Sequence, residues 1–205
     1  LSDNSQLINC TFTGNVANTL SGGAAVYVHA SHFIIDDCRF INNTQQDAAA
    51  GAIYLRGNDL TIRNTLFENN SADDHGGAIE SYDDCNIINC TFRNNSANHG
   101  GATFNYGHLN IRDCTFISNR AIKEEGKLYN GAGGAVFAVN ATIANCVFTY
   151  NEGDLGAAIF IASDGTNVDR CIFINNTKGN NGVISSVAKN AKVSNSIFLN
   201  NDAGY

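Results

Sequence analysis

His75 and His99 each directly precede a Gly-Gly pair, Gly76-Gly77 and Gly100-Gly101, and Asp73 and Asp74 adjoin His75. Imidazole and carboxylate are the side chains that hold divalent metals. If the fold stacks these two segments, Asp73, Asp74, His75 and His99 are the residues that could ligate one. Polar residues are also the norm before a glycine turn, so no metal or other cofactor is assigned. A second group is aromatic. In the strand expected after each Gly pair, Ile53, Ile79, Val136 and Ile159 would point inward. The residues that follow them, Tyr27, Tyr54, Glu80, Phe104, Phe137, Phe160 and Ser185, would then point outward. Stacked aromatics on an exposed sheet would form an apolar patch fit for sugar rings or a protein partner. That expectation fails if flanking loops cover the strand or if the alternation is out of phase by one residue.

Carboxylates suggest a third chemistry. Glycoside hydrolysis uses two of them across a cleft, roughly 5 Å or 6.5–9.5 Å apart. Asp36, Asp37, Asp73, Asp74, Glu80, Asp83 and Asp84 are available. Asp37 occupies a turn position where other copies carry Asn, and Asp83-Asp84 falls in a connecting turn, which favours structural roles for these.

What must position all of these residues is a repeat. Phe12, Phe40, Phe67, Phe92, Phe116, Phe148, Phe173 and Phe198 recur at steps of 28, 27, 25, 24, 32, 25 and 25 residues. Each is followed three residues later by an Asn, from Asn15 to Asn201, in eight copies out of eight. A period in the twenties across a whole chain is the mark of a solenoid. Within each copy, runs such as Leu109-Asn110-Ile111, Cys114-Thr115-Phe116 and Ala135-Val136-Phe137-Ala138 alternate with period two, and apolar spacing of three and four never persists. That predicts β-structure. The expectation is one parallel β-helix domain over 1–205, with about eight coils of three short strands, each rising by roughly 4.8 Å.

The Asn that follows each Phe should form an amide ladder and tolerate a left-handed turn. A second polar column contains Asn9, Asp37, Asn64, Asn89, Asp113, Asn145, Arg170 and Asn195. Six of the seven cysteines, Cys10, Cys38, Cys90, Cys114, Cys146 and Cys171, share one repeat position with Thr65 and Ser196. This is neither a metal nor a disulfide spacing, and it reads as a buried column of small side chains with free thiols. The longest inter-copy loop, Arg120 to Ala132, carries Lys123-Glu124-Glu125-Gly126-Lys127. Sequons at Asn69, Asn94, Asn140 and Asn175 follow from the repeat itself.

The net charge of -7 and pI near 5 argue against nucleic acid and anionic membranes as partners. No apolar run reaches the roughly 20 residues of a membrane span. Neither terminus carries an obvious polar cap, so the reading is a segment of a longer array or one that self-associates end to end.

The pairing of Gly76-Gly77-Ala78-Ile79 with Phe92-Arg93-Asn94-Asn95 resembles the repeats of chlamydial polymorphic membrane proteins and of adhesin-like surface proteins of methanogenic archaea. The resemblance covers nearly the whole chain. Its Gly-Gly half departs at Ala50-Gly51, Gly156-Ala157 and Asn181-Gly182. It implies a right-handed single-stranded parallel β-helix, export to the cell surface, and adhesion to a host or microbial glycan or protein, and it carries no catalytic residues. The alternatives are a β-helix polysaccharide lyase or glycoside hydrolase, and a passive spacer. The G-H-G and R-x-K patterns that resemble polygalacturonases are absent, and a chain without Pro excludes the R-x-P-x-x-R pattern of pectate lyases.

Overall fold

The computed structural model describes residues 2–18, 22–122 and 131–202. The charged insertion at 123–127 lies outside them. The described residues form strands and no helix, and every strand pairing is parallel and keeps its register from coil to coil, apart from one shift between Asn105 and His108. The Phe strands, from Thr11–Thr13 to Ile197–Leu199, build an eight-stranded sheet, so about seven full turns separate the first strand from the last. A 13-stranded sheet holds the strands that follow the Gly pairs, such as Ile53–Arg56, and those that precede the Cys, such as Cys85–Ile88. Thr103–Arg112 and Val136–Ala144 run unbroken through both parts.

The third sheet departs from expectation. Two-residue strands such as Ser71–Ala72 and Ser96–Ala97 follow the ladder Asn and make a five-stranded sheet. The sequence reading treats this segment as loop, because two residues are too few to show alternation.

The interior is built in columns. Eight Phe rings stack with centroids 4.7–5.1 Å apart and planes within 8° of parallel. Each interior ladder amide is fully used. Asn95 Nδ2 donates to Asn119 Oδ1 at 3.0 Å and to Phe67 O at 3.1 Å. Asn95 Oδ1 accepts from both the backbone N–H and the Nδ2 of Asn70, each at 3.0 Å. The same pattern runs from Asn43 to Asn176, with Asn15 donating into it at one end and Asn201 accepting at the other.

The left-handed turn lies one residue earlier than the sequence suggests. Asn42, Asn69, Asn94, Ser118, Tyr150, Asn175 and Asn200 have φ of 50–56°, and the ladder Asn does not. A side chain that must point into the stack needs an ordinary backbone, so the corner is displaced onto its neighbour. The second polar column, from Asn9 to Asn195, forms another left-handed corner with φ of 50–57°. Sequon residues Asn69 and Asn94 are these exposed corner residues; the buried ladder amides are those of Asn70 and Asn95.

The cysteine column is also more polar than expected. All seven thiols are free. Each column Sγ donates to the carbonyl two residues back, at 3.2–3.4 Å, as Cys38 does to Asp36 O and Cys171 to Asp169 O. Thr65 and Ser196 make the same bond at 2.7 and 2.8 Å. Several column atoms also accept the neighbouring coil's N–H, for example Thr65 Oγ1 from Cys38 N. Cys, Thr and Ser interchange because each is small and offers one donor and one acceptor.

Candidate functional site

The strand after each Gly pair has the expected phase. Ile53, Ile79, Val136 and Ile159 enter the main core. Tyr27, Tyr54, Glu80, Phe104, Phe137, Phe160 and Ser185 pair in one outward column. The expectation of an exposed aromatic patch fails for most of it. Tyr54, Glu80, Phe104, Phe137, Phe160 and Ser185 are all buried, and of this column only Tyr27, 48% accessible, is open to solvent.

The cover comes from the segment before each Gly pair. The first glycine of the pair takes a positive φ, 57° at Gly76 and 61° at Gly100, and turns the chain back beside its own strand. His75, His99, Ala132 and Leu155 thereby form a bridged outer row. In the upper coils Ala132 and Leu155 close over Phe104, Phe137 and Phe160 as a small second core. Lower down, His75 stacks on Phe104 at 4.2 Å and His99 meets Phe137 edge-on at 5.7 Å.

Where the outward column holds Glu80 instead of an aromatic, the surface opens. The aromatic line sidesteps by two residues, from Tyr27 and Tyr54 to Tyr82 and Tyr106. Their rings follow one another at 5.1, 5.5 and 4.6 Å. Tyr82 and Tyr106 are 39% and 41% exposed, and Arg56 lies over the Tyr82 ring at 5.6 Å. Sequence reasoning missed both tyrosines. Continuing the same alternation two residues past Glu80 and Phe104 would have found them.

Beside this strip is a cavity of about 220 Å³ lined by Gly22, Asp47, Ala48, Ala49, Tyr54, Asp74, His75, Glu80, Tyr82 and Tyr106. Its floor is Glu80, whose side chain is 2% accessible. Glu80 Oε1 lies 3.5 Å from His75 Nδ1, and Oε2 is buried without a hydrogen-bond partner. The other face of the imidazole is also acidic, with His75 Nε2 3.5 Å from Asp74 Oδ1. Burial, then the neighbouring Tyr82 and Glu80, push the Tyr54 phenol up to about 12 and raise that of Tyr106 as well. Tyr54 and Tyr106 therefore stay neutral at physiological pH and can donate as well as accept.

The four candidate metal ligands separate here. Donor atoms of Asp74, His75 and His99 lie within 4.8 Å of one another. Asp73 turns away and its carboxylate accepts the Asp47 N–H at 3.0 Å. Most other carboxylates tie coils together. Asp83 accepts from Gly57 N, Asp84 from His108 N, and Asp36 from Arg63 and Asn64. Of the seven carboxylates considered for catalysis, Asp74 and Glu80 line the cavity.

Residues 1–137 match the family described as a right handed beta helix region. The chain belongs to that right-handed β-helix family. A 92-residue stretch of this β-helix, 44% of the chain, is 36% identical to part of the metabotropic glutamate receptor-like protein R of Dictyostelium discoideum. The match spans 5% of that much longer protein. No solved structure matches the β-helix significantly. Among the described residues there is no helix long and apolar enough to cross a membrane.

Proposed function

We propose that this chain is a rigid binding module of an extracellular or cell-surface protein, of adhesin type, and that it engages a glycan along the tyrosine strip. The observation that carries this reading is the run Tyr27–Tyr54–Tyr82–Tyr106, three of whose rings are open to solvent. Aromatic faces stack on sugar rings, and the adjoining acceptors of Asp47, Asp74 and Glu80 suit hydroxyl groups. The cavity, at about 220 Å³, is smaller than the roughly 300–1,000 Å³ that encloses a whole small ligand. It suits one projecting group of a longer polymer lying on the strip. Its carboxylates, within a chain of net charge -7, favour neutral or amino sugars over uronates. The receptor-like relative and the resemblance of the repeat to those of surface adhesins both accord with an extracellular setting.

The test is affinity electrophoresis of the folded protein through a panel of neutral, amino-sugar and uronic polysaccharides, with the chain length of each followed over a long incubation. Retention by a neutral or amino glycan, weakened about tenfold in Tyr82→Ala/Tyr106→Ala, supports the proposal; that factor is about 1.4 kcal/mol. Retention by none would leave a passive spacer. Shortened chains would replace the binding reading with a lyase or hydrolase working from Asp74 and Glu80.

A further inference from the structure

The geometry points to a binding site for a zinc-class divalent cation formed by Asp74, His75 and His99, with Glu80 behind His75. Stacking of adjacent coils creates it. His75 and His99 occupy equivalent positions one coil apart, held by a backbone bridge, and their rings lie 5.2 Å apart. The Asp74 backbone carbonyl accepts the His99 N–H at 3.0 Å, which fixes the two segments against each other.

Three observations support a metal rather than an incidental polar cluster. The donor atoms are close enough, all within 4.8 Å of one another. A tetrahedral ion with bonds of about 2.0–2.1 Å places its ligands roughly 3.4 Å apart, and His75 Nε2 to Asp74 Oδ1 is 3.5 Å. His75 also has the backing that metal-bound imidazoles have. A ligating His usually directs its second ring nitrogen at a carboxylate, which fixes its tautomer and raises its basicity; here Nδ1 faces Glu80 Oε1 at 3.5 Å. Finally, Glu80 is 1% accessible and its Oε2 has no hydrogen-bond partner. A buried carboxylate without compensating charge is costly, and a dication on the far side of His75 would supply positive charge.

The donor set selects the ion. Two imidazoles and one carboxylate suit zinc, nickel or copper, whereas calcium and magnesium prefer oxygen ligands throughout. Three protein donors leave the remaining coordination to water or to a ligand group. The site stands whether or not the tyrosine strip binds a glycan.

The experiment is calorimetric titration of the chelator-treated, folded protein with zinc chloride, and separately with calcium chloride. One zinc per chain is expected, in the micromolar range or tighter, with no calcium binding and a melting temperature that rises with zinc. His75→Ala and His99→Ala should each weaken zinc about a hundredfold. Glu80→Gln should weaken it about 10–100-fold as a positioning residue. His32→Ala, on a different surface, should change nothing. If the histidine variants do not fold, X-ray absorption of the zinc-loaded native chain decides, since the proposal requires two imidazole ligands. Absence of saturable zinc binding, or equal binding by a folded His75→Ala/His99→Ala variant, would overturn it. So would an absorption spectrum dominated by sulfur.

Discussion

Asn95 takes part in five hydrogen bonds through its side chain and backbone N–H, and none of its partners can turn to water. Truncating it deletes four side-chain bonds and strands the Asn70 N–H inside the coil. Leaving a buried polar group unpaired costs about 1–3 kcal/mol, so Asn95→Ala should lose about 3–5 kcal/mol by urea unfolding. Asn15→Ala, at a partly open rung, should lose much less. The cysteine column obeys the same rule of satisfied polar atoms. Cys90→Ser keeps the donor to Ile88 O and should shift stability by less than about 1 kcal/mol. Cys90→Val keeps the volume but loses that bond, and should cost about 1–2 kcal/mol. The recurrence of these residues was plain in the sequence. Their bonds were not, because a column of Cys reads as apolar until the carbonyl two residues back is seen to lie within reach.

Corners, more than strands, set the shape of each coil. Five of the left-handed residues preceding a ladder Asn are themselves Asn, and Tyr150, with φ of 56°, is the bulky exception. An L-residue other than Gly or Asn loses about 1–2 kcal/mol in that conformation. Tyr150 is 59% exposed, so Tyr150→Asn should raise stability by about 0.5–1 kcal/mol, measured as a higher urea midpoint at unchanged slope. Strand phase was legible because Ile53, Ile79, Val136 and Ile159 mark the inner face by period two. The cover over Phe104, Phe137 and Phe160 was not. It depends on how sharply Gly76 and its equivalents fold the preceding residues back, and Ala132 and Leu155 share no residue type with His75 and His99. The same turn brings Asp74, His75, His99 and Glu80 together, a convergence that spacing could suggest for the histidines but not for Glu80.

Because each coil touches only its neighbours, stability accumulates along the rod, and interior coils should exchange their amides more slowly than the first and last. The pH dependence of the whole molecule follows from its hydrogen-bonded carboxylates and its buried thiols and phenols. Hydrogen bonds from Arg63 and Asn64 hold the Asp36 carboxyl below its usual range, and backbone N–H groups of Lys189 and Asn190 do the same for Asp164. A lowered carboxyl stabilises the fold above its unfolded value and ceases to do so as pH falls through its folded one, so melting temperature should decline below about pH 4. Burial pushes the Cys85 thiol and the Tyr54 phenol up to about 12 and raises Cys38 and Cys90. Groups raised in this way stabilise the fold below their unfolded values and lose that contribution as pH rises, so a second decline should begin above about pH 9. A flat melting curve from pH 2 to 11 would contradict both assignments. The amide ladder gives this rod a chemical sense of direction. From Asn15 Nδ2 onward, every rung donates toward the later coil. Within the described coils each rung therefore turns its acceptor toward the earlier coil and its donor toward the later one. Two such columns are complementary only tail to head, since a twofold pairing would set acceptor against acceptor or donor against donor; any assembly that extended this column would be polar, as in a filament and not a closed dimer.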